Sequence, residues 1–119
     1  MRAIILFAHG ARNPEWAMPI MAIRDAMYEL QPEIRVECAF LEFMAPTLLE
    51  AVGRLTEAGF THITVVPIFM AQTGHAQRDL PEMLETARRQ YPQLTLRISE
   101  PIGNAPAIVR AIAAYALKV

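Results

Sequence analysis

Two histidines, His9 and His75, each stand just past an apolar, strand-like run, Ala3–Ala8 in the first case and Ile63–Ala71 in the second. Each adjoins a glycine, Gly10 or Gly74, and a third run, Ile34–Leu41, gives way in the same manner to a carboxylate, Glu42. Imidazole and carboxylate suit first-row divalent ions such as Co, Ni, Fe or Zn. Imidazole also titrates near neutral pH, so either ring can act as a general base. Two His and one carboxylate leave coordination positions open, which a metal that is handed on rather than stored requires.

Such a set meets only if the elements around it bring the run ends together. Arg2–Ala8 is continuous Ile, Ile, Leu and Phe, the pattern of a buried strand. Asn13-Pro14 then suits a helix cap and first turn, and a helix to Leu30 is expected with Ile20, Ile23, Met27 and Leu30 as its apolar face. Ile34–Leu41 reads as the second strand. Thr47 caps a helix to Ala58 that carries Leu48, Val52 and Leu55, with Gly59 as its stop. The third strand is Thr61–Val66, ended by Pro67. A long connection, Ile68–Asp79, holds Gly74-His75 and leads to a helix ending near Gln90, with Leu80, Met83, Leu84 and Ala87 inward. Leu94–Ile98 alternates like an edge strand, and Pro106–Leu117 is a last, mostly apolar helix.

The result is βαβαβαβα, which predicts a four-stranded parallel sheet with helices on both faces. In an open sheet of that kind the loops after the carboxyl ends converge on one crevice, and strands 1 and 3 are neighbours in the flavodoxin-like order. His62, at the amino end of the third strand, falls on the opposite rim and reads as a surface residue.

The bulk composition narrows the function classes. A chain of 119 residues favours one domain, residues 1–119, with one core. At 54% hydrophobic and 19% charged it is more apolar than an average soluble domain, which fits a sheet buried on both faces or a surface covered by another subunit. The net charge of −1 gives no electrostatic case for nucleic acid. No apolar stretch approaches the roughly 20 residues of a membrane helix, and the first apolar run is too short for a signal peptide. A cytoplasmic protein is expected. The single cysteine, Cys38, reads as a core thiol.

Other residues border the same rim. Arg12 precedes a helix start and Arg78 follows His75 by three residues; each is either a carboxylate-binding group or an ordinary solvated side chain. Asp79 reads as a helix cap. Phe43, Met44, Phe69 and Met70 supply bulk that either packs in the core or floors a pocket for a large flat ligand. There is no Gly-x-Gly-x-x-Gly and no P-loop, so dinucleotide and nucleoside-triphosphate chemistry lack support. His9-Gly10 matches part of a histidine-phosphatase motif, but Ala8 stands where that motif needs arginine.

Three segments together carry a family likeness. Phe7-Ala8-His9-Gly10-Ala11-Arg12-Asn13-Pro14, then Ala39-Phe40-Leu41-Glu42, then Pro67-Ile68-Phe69 through Gly74-His75 to Asp79-Leu80-Pro81, resemble the class II tetrapyrrole chelatases of the short CbiX/SirB type. The likeness spans essentially the whole chain in order. Two departures are Ala11, where the family commonly has serine, and Thr73, where it commonly has glycine. Neither removes a proposed ligand.

The resemblance implies a three-layer, chelatase-like domain, one half-unit of the longer duplicated family members. It implies insertion of Co2+, or Fe2+ or Ni2+, into sirohydrochlorin without ATP and without a tightly bound cofactor, in cobalamin or sirohaem biosynthesis. By the match His9, Glu42 and His75 hold the metal and carry the catalysis, Arg12 and Arg78 face the substrate carboxylates, and the protein is a homodimer with no nucleic-acid or membrane partner. Two other readings stay open: a carrier that binds metal or tetrapyrrole without turnover, and a small phosphatase or isomerase that uses His9.

Overall fold

The computed structural model describes residues 2–71 and 74–119, with the side chains of 74–77 left out of the description. Four strands, β1 (Arg2–Ala8), β2 (Arg35–Phe40), β3 (His62–Pro67) and β4 (Thr95–Ile98), pair in the order β2-β1-β3-β4. Every pairing is parallel, with Ala8 opposite Phe40 and Phe7 opposite Pro67 at the carboxyl ends. The expected four-stranded parallel α/β sheet is therefore present, and β1 and β3 are neighbours at its centre.

The helices divide the sheet's two faces. Helices α2 (Leu48–Glu57) and α3 (Gly74–Gln90) cover one face, where Ile5, Phe7, Ile63 and Val65 meet Leu48, Val52, Leu55, Leu80 and Leu84. Helix α1 (Met18–Leu30) covers the other face over β1 and β2 through Ile20, against Leu6, Val36 and Phe40. Tyr28 adds a polar clasp: its hydroxyl accepts from the Val36 N–H and donates to the Val36 carbonyl, both at 3.2 Å, on the outer edge of β2. Cys38 is only partly buried on that face; its desolvation pushes the thiol pKa up, so it stays protonated at neutral pH.

Several details depart from the sequence-based expectations. The helix expected from Pro14 begins as a 3-10 turn, Pro14–Ala17, and becomes α-helical only at Met18. Pro19 explains the break, because its ring has no N–H and clashes with the carbonyl four residues earlier. On α1, Ile23 and Leu30 are exposed rather than inward, since the helix reaches only over the β1–β2 half of the sheet. Helix α3 begins at Gly74, so Gly74 to Asp79 are helical rather than a connection. Pro81 lies inside α3, and the burial of Leu80, Leu84 and Ala87 outweighs its one lost hydrogen bond.

The last helix, α4 (Pro106–Lys118), has no buried residue. Its main contacts are with the 3-10 turn Ile102–Asn104 that leads into it. The face opposite α2 and α3 is thus open over β3 and β4.

Candidate functional site

The carboxyl ends of β1 and β2 stay joined past the strands themselves. The Leu41 N–H donates to Ala8 O at 2.9 Å, and the Glu42 N–H donates to His9 O at 3.1 Å. This extension of the ladder sets His9 and Glu42 side by side, with His9 Nδ1 3.8 Å from Glu42 Oε1. Both side chains are about half exposed. Gly10 makes the approach possible: its φ is +86°, and a Cβ there would lie 2.0 Å from Glu42 O. Only glycine fits that conformation and that gap.

On the other side, β3 is tied to β1 by the Ile68 N–H, which donates to Phe7 O at 2.7 Å. Phe69 is then buried edge-on to Phe7, with ring centroids 5.8 Å apart, and its other side faces the His9 ring at 5.7 Å. The loop after β4 closes on the same residues. The Gly103 N–H donates to Phe69 O at 3.1 Å, and a Cβ at Gly103 would fall 1.6 Å from Met70 O. The ends of three strands and the loop after the fourth therefore converge on His9.

An apolar rim surrounds the pair. One hollow of about 360 Å³ runs from His9 and Gly10 to Trp16, Pro19, Ile20 and Phe40. A second, of about 320 Å³, lies between Arg12, Pro14, Phe40, Phe43 and Met44. The Arg12 guanidinium stands 4.5 Å above the Phe43 ring, a cation–π contact. Phe43 itself has φ +67°, a left-handed conformation that costs a bulky side chain energy. A larger hollow, about 420 Å³ between α2 and the end of α3, carries no such convergence of strand ends.

Among the residues singled out from the sequence, His9 and Glu42 are brought together and Arg12 stands on the same rim. His75 falls in the first turn of α3, and its side chain lies outside the described residues. Arg78 is exposed on α3. Among the described residues no three His, Cys, Asp or Glu side chains stand close enough to hold one ion. Phe69 is core, whereas Phe43 and Met70 are exposed. Sequence reasoning missed Trp16, which is 69% exposed and lines the His9 hollow. Its signal was an unusual one: the chain's lone tryptophan, one turn after the first loop.

Two ligands each about 2.1 Å from one ion stand roughly 3.4 Å apart at tetrahedral angles. The 3.8 Å between His9 and Glu42 is a small side-chain adjustment from that spacing. The same atoms can pass protons, since both are open to solvent and neither is locked in a competing bond to the other.

Comparison with known proteins identifies the lineage of this arrangement. The sequence profile of the CbiX family matches residues 3–118. A sirohydrochlorin cobaltochelatase from Methanopyrus kandleri is 38% identical over 71% of this chain and 59% of its own length. The crystal structure of a CbiX protein from Marinobacter aquaeolei VT8 superposes with a TM-score of 0.85 at 31% identity, over 99% of this chain and 93% of that one. The sirohydrochlorin chelatase SirB from Bacillus subtilis subspecies spizizenii, solved in complex with cobalt, gives a TM-score of 0.81 at 27% identity. That likeness covers 99% of this chain but 50% of SirB, so the chain spans about half the length of some of its relatives.

Proposed function

The chain belongs to the CbiX family, and we propose that it inserts a divalent metal, Co2+ in first place, into sirohydrochlorin or a closely similar tetrapyrrole, without ATP and with no tightly bound cofactor. Fe2+ and Ni2+ are the alternative metals, because the same donor set accepts them. The observation that carries the reading is the His9–Glu42 pair, 3.8 Å apart at the joined ends of β1 and β2 and bordered by an apolar rim.

Insertion requires the ion to exchange its ligands for ring nitrogens while two pyrrole N–H protons leave. His9 and Glu42 serve as ligands that release the ion and as acceptors for those protons, with His75 as the third member of the set. Water reaches both described side chains, so the protons drain to solvent. The hollow walls at Trp16, Phe40 and Phe43 bind the flat faces of the ring. Arg12 and, from α3, Arg78 bind its peripheral carboxylates. A cleft that prefers the bent ring to the planar one lowers the barrier by differential binding.

The chain acts as one unit of the kind that longer relatives carry more than once, and it works as a homodimer in the cytoplasm. No helix among the described residues is long and apolar enough to cross a membrane. The test is direct: pure protein is mixed with sirohydrochlorin and Co2+, and the absorbance change is followed against a protein-free control. Acceleration is expected; ligand binding without acceleration would make the protein a carrier and sink the proposal.

A further inference from the structure

An all-parallel sheet ordinarily carries apolar residues on both faces, because helices cover both. The face opposite α2 and α3 breaks that pattern over β3 and β4. Strand alternation sends His62 and Thr64 of β3, and Thr95 and Arg97 of β4, to this side, while Ile63, Val65 and Leu96 pack on the other. The register sets Arg2, His62 and Thr95 in one row across β1, β3 and β4, and Ile4, Thr64 and Arg97 in the next. Arg2, His62, Thr64, Thr95 and Arg97 border a hollow of about 330 Å³. No carboxylate stands at a position of this face on β1, β3 or β4.

The positive charge there is uncompensated. Among the described residues, the guanidinium groups of Arg2 and Arg97 have no ion-pair, hydrogen-bond or ring partner, whereas Arg24, Arg35 and Arg88 each have a carboxylate. Two strand spacings of about 4.8 Å and a two-residue stagger put the Arg2 and Arg97 Cα atoms about 12 Å apart, on either side of β3. Two arginine side chains can close that span on one small ligand. Between them Thr64 and Thr95 offer hydroxyls, and Thr61 Oγ1 orients the His62 ring from 3.0 Å at Nδ1. With the hydroxyl donating to Nδ1, Nε2 keeps the ring's proton and is a donor.

We propose that this hollow binds a small oxyanion carrying two or more negative charges, a polycarboxylate or a phosphate compound. Guanidinium forks match the paired oxygens of carboxylate and phosphate. The threonine hydroxyls and the imidazole N–H meet the oxygens that remain. The volume lies at the low end for small-molecule sites, which selects a ligand much smaller than a tetrapyrrole. Bound there, the anion bridges β1, β3 and β4 at their amino ends, where no helix covers β3 and β4. The site is separate from the metal chemistry: β1 is seven residues long, so roughly 20 Å lies between Arg2 and the His9 rim.

Citrate and pyrophosphate are titrated separately into the full chain by calorimetry, at an ionic strength held constant with sodium chloride. One anion per chain is expected, with a rise in melting temperature because the folded state alone binds it. Tighter citrate identifies a polycarboxylate, and tighter pyrophosphate a phosphate compound. Arg2→Gln and Arg97→Gln should each weaken binding at least about tenfold, and Arg97→Lys, which keeps the charge without the fork, should fall in between. Both arginines are exposed, so the circular dichroism of these variants should match the parent, and Co2+ insertion should be unchanged. His62→Gln should weaken binding severalfold, and it carries the test if an arginine variant fails to fold. Binding of neither anion overturns the proposal, as does binding that all these variants leave intact. Binding lost in Arg12→Gln instead places the anion at the His9 rim and overturns it too.

Discussion

The Glu42 N–H donates to the His9 carbonyl at 3.1 Å, so the two residues are held by their backbones before their side chains meet. The site is therefore an extension of the β1–β2 ladder. Its geometry depends on the sheet more than on the loops, and Gly10 is the point where that dependence is most exposed.

Gly10→Ala should therefore damage fold and function together. The added Cβ would lie 2.0 Å from Glu42 O, at a backbone φ of +86°. The left-handed conformation alone costs an L-residue about 1–2 kcal/mol, and the clash must push β2's end away from His9. A urea titration should show a loss of at least about 2 kcal/mol, and Co2+ insertion should fall more than tenfold. Unchanged stability would mean that the Gly10–Glu42 approach is not rigid.

His9→Ala and Glu42→Gln should behave in the opposite way. Both side chains are about half exposed and neither anchors the core, so stability should stay within about 0.5 kcal/mol of the parent. Insertion should fall by roughly a hundredfold or more in each, the scale of a lost acid–base group. Titration with Co2+ alone, read from its visible absorption, should show weakened binding in both. His75→Ala should match them; full activity there would remove His75 from the set.

Much of this arrangement is legible in the sequence itself. The run Arg2–Ala8 ends at His9 because an apolar, two-sided strand must stop where polarity begins, and β1 ends there. Right-handed crossovers then leave few places for β2 and β3, so Glu42, standing at the end of the run Ile34–Leu41, arrives beside His9. The misses have physical causes as well. Gly74–Asp79 reads as part of a connection, but α3 begins at Gly74, and the burial of Leu80 and Leu84 carries it through Pro81. Trp16 and the Glu42 carbonyl over Gly10 are matters of tertiary approach, which spacing does not encode. The apolar character of α4 is plain, but periodicity gives no hint that none of its residues is buried.

The α2 start offers a pH-dependent test away from the chemistry. Thr47 and Glu50 form a reciprocal capping box: the Glu50 N–H donates to Thr47 Oγ1 at 3.2 Å, and the Thr47 N–H donates to Glu50 Oε1 at 2.8 Å. Those bonds, the backbone one first, hold the Glu50 carboxyl below its ordinary range. A lowered folded pKa means that the ion's contribution is complete above the unfolded value, about 4.3 for glutamate, and disappears as pH falls through the folded value. The stability gap between the parent and Glu50→Ala should therefore be wide at neutral pH and close in acid. Thr47→Ala should cost about 1 kcal/mol. A gap that is independent of pH would show that the carboxylate charge is not what the cap uses.

Phe43 separates stability from substrate binding. Its φ of +67° is strained for an aromatic residue, and its ring is 56% exposed beneath the Arg12 guanidinium. Nothing in the core depends on it, so the strain is offset by a benefit outside the fold. Asparagine tolerates the left-handed region, and Phe43→Asn should leave stability equal or raise it by up to about 1 kcal/mol. The same change removes the apolar wall of the second hollow and frees Arg12 from its stack. KM for the tetrapyrrole should rise at least severalfold while kcat at saturating substrate changes little, because the metal-handling pair is untouched. A drop in kcat with KM unchanged would place Phe43 in the chemistry instead of at the binding face. A loss of stability would show that the strained turn is held for the fold's own sake.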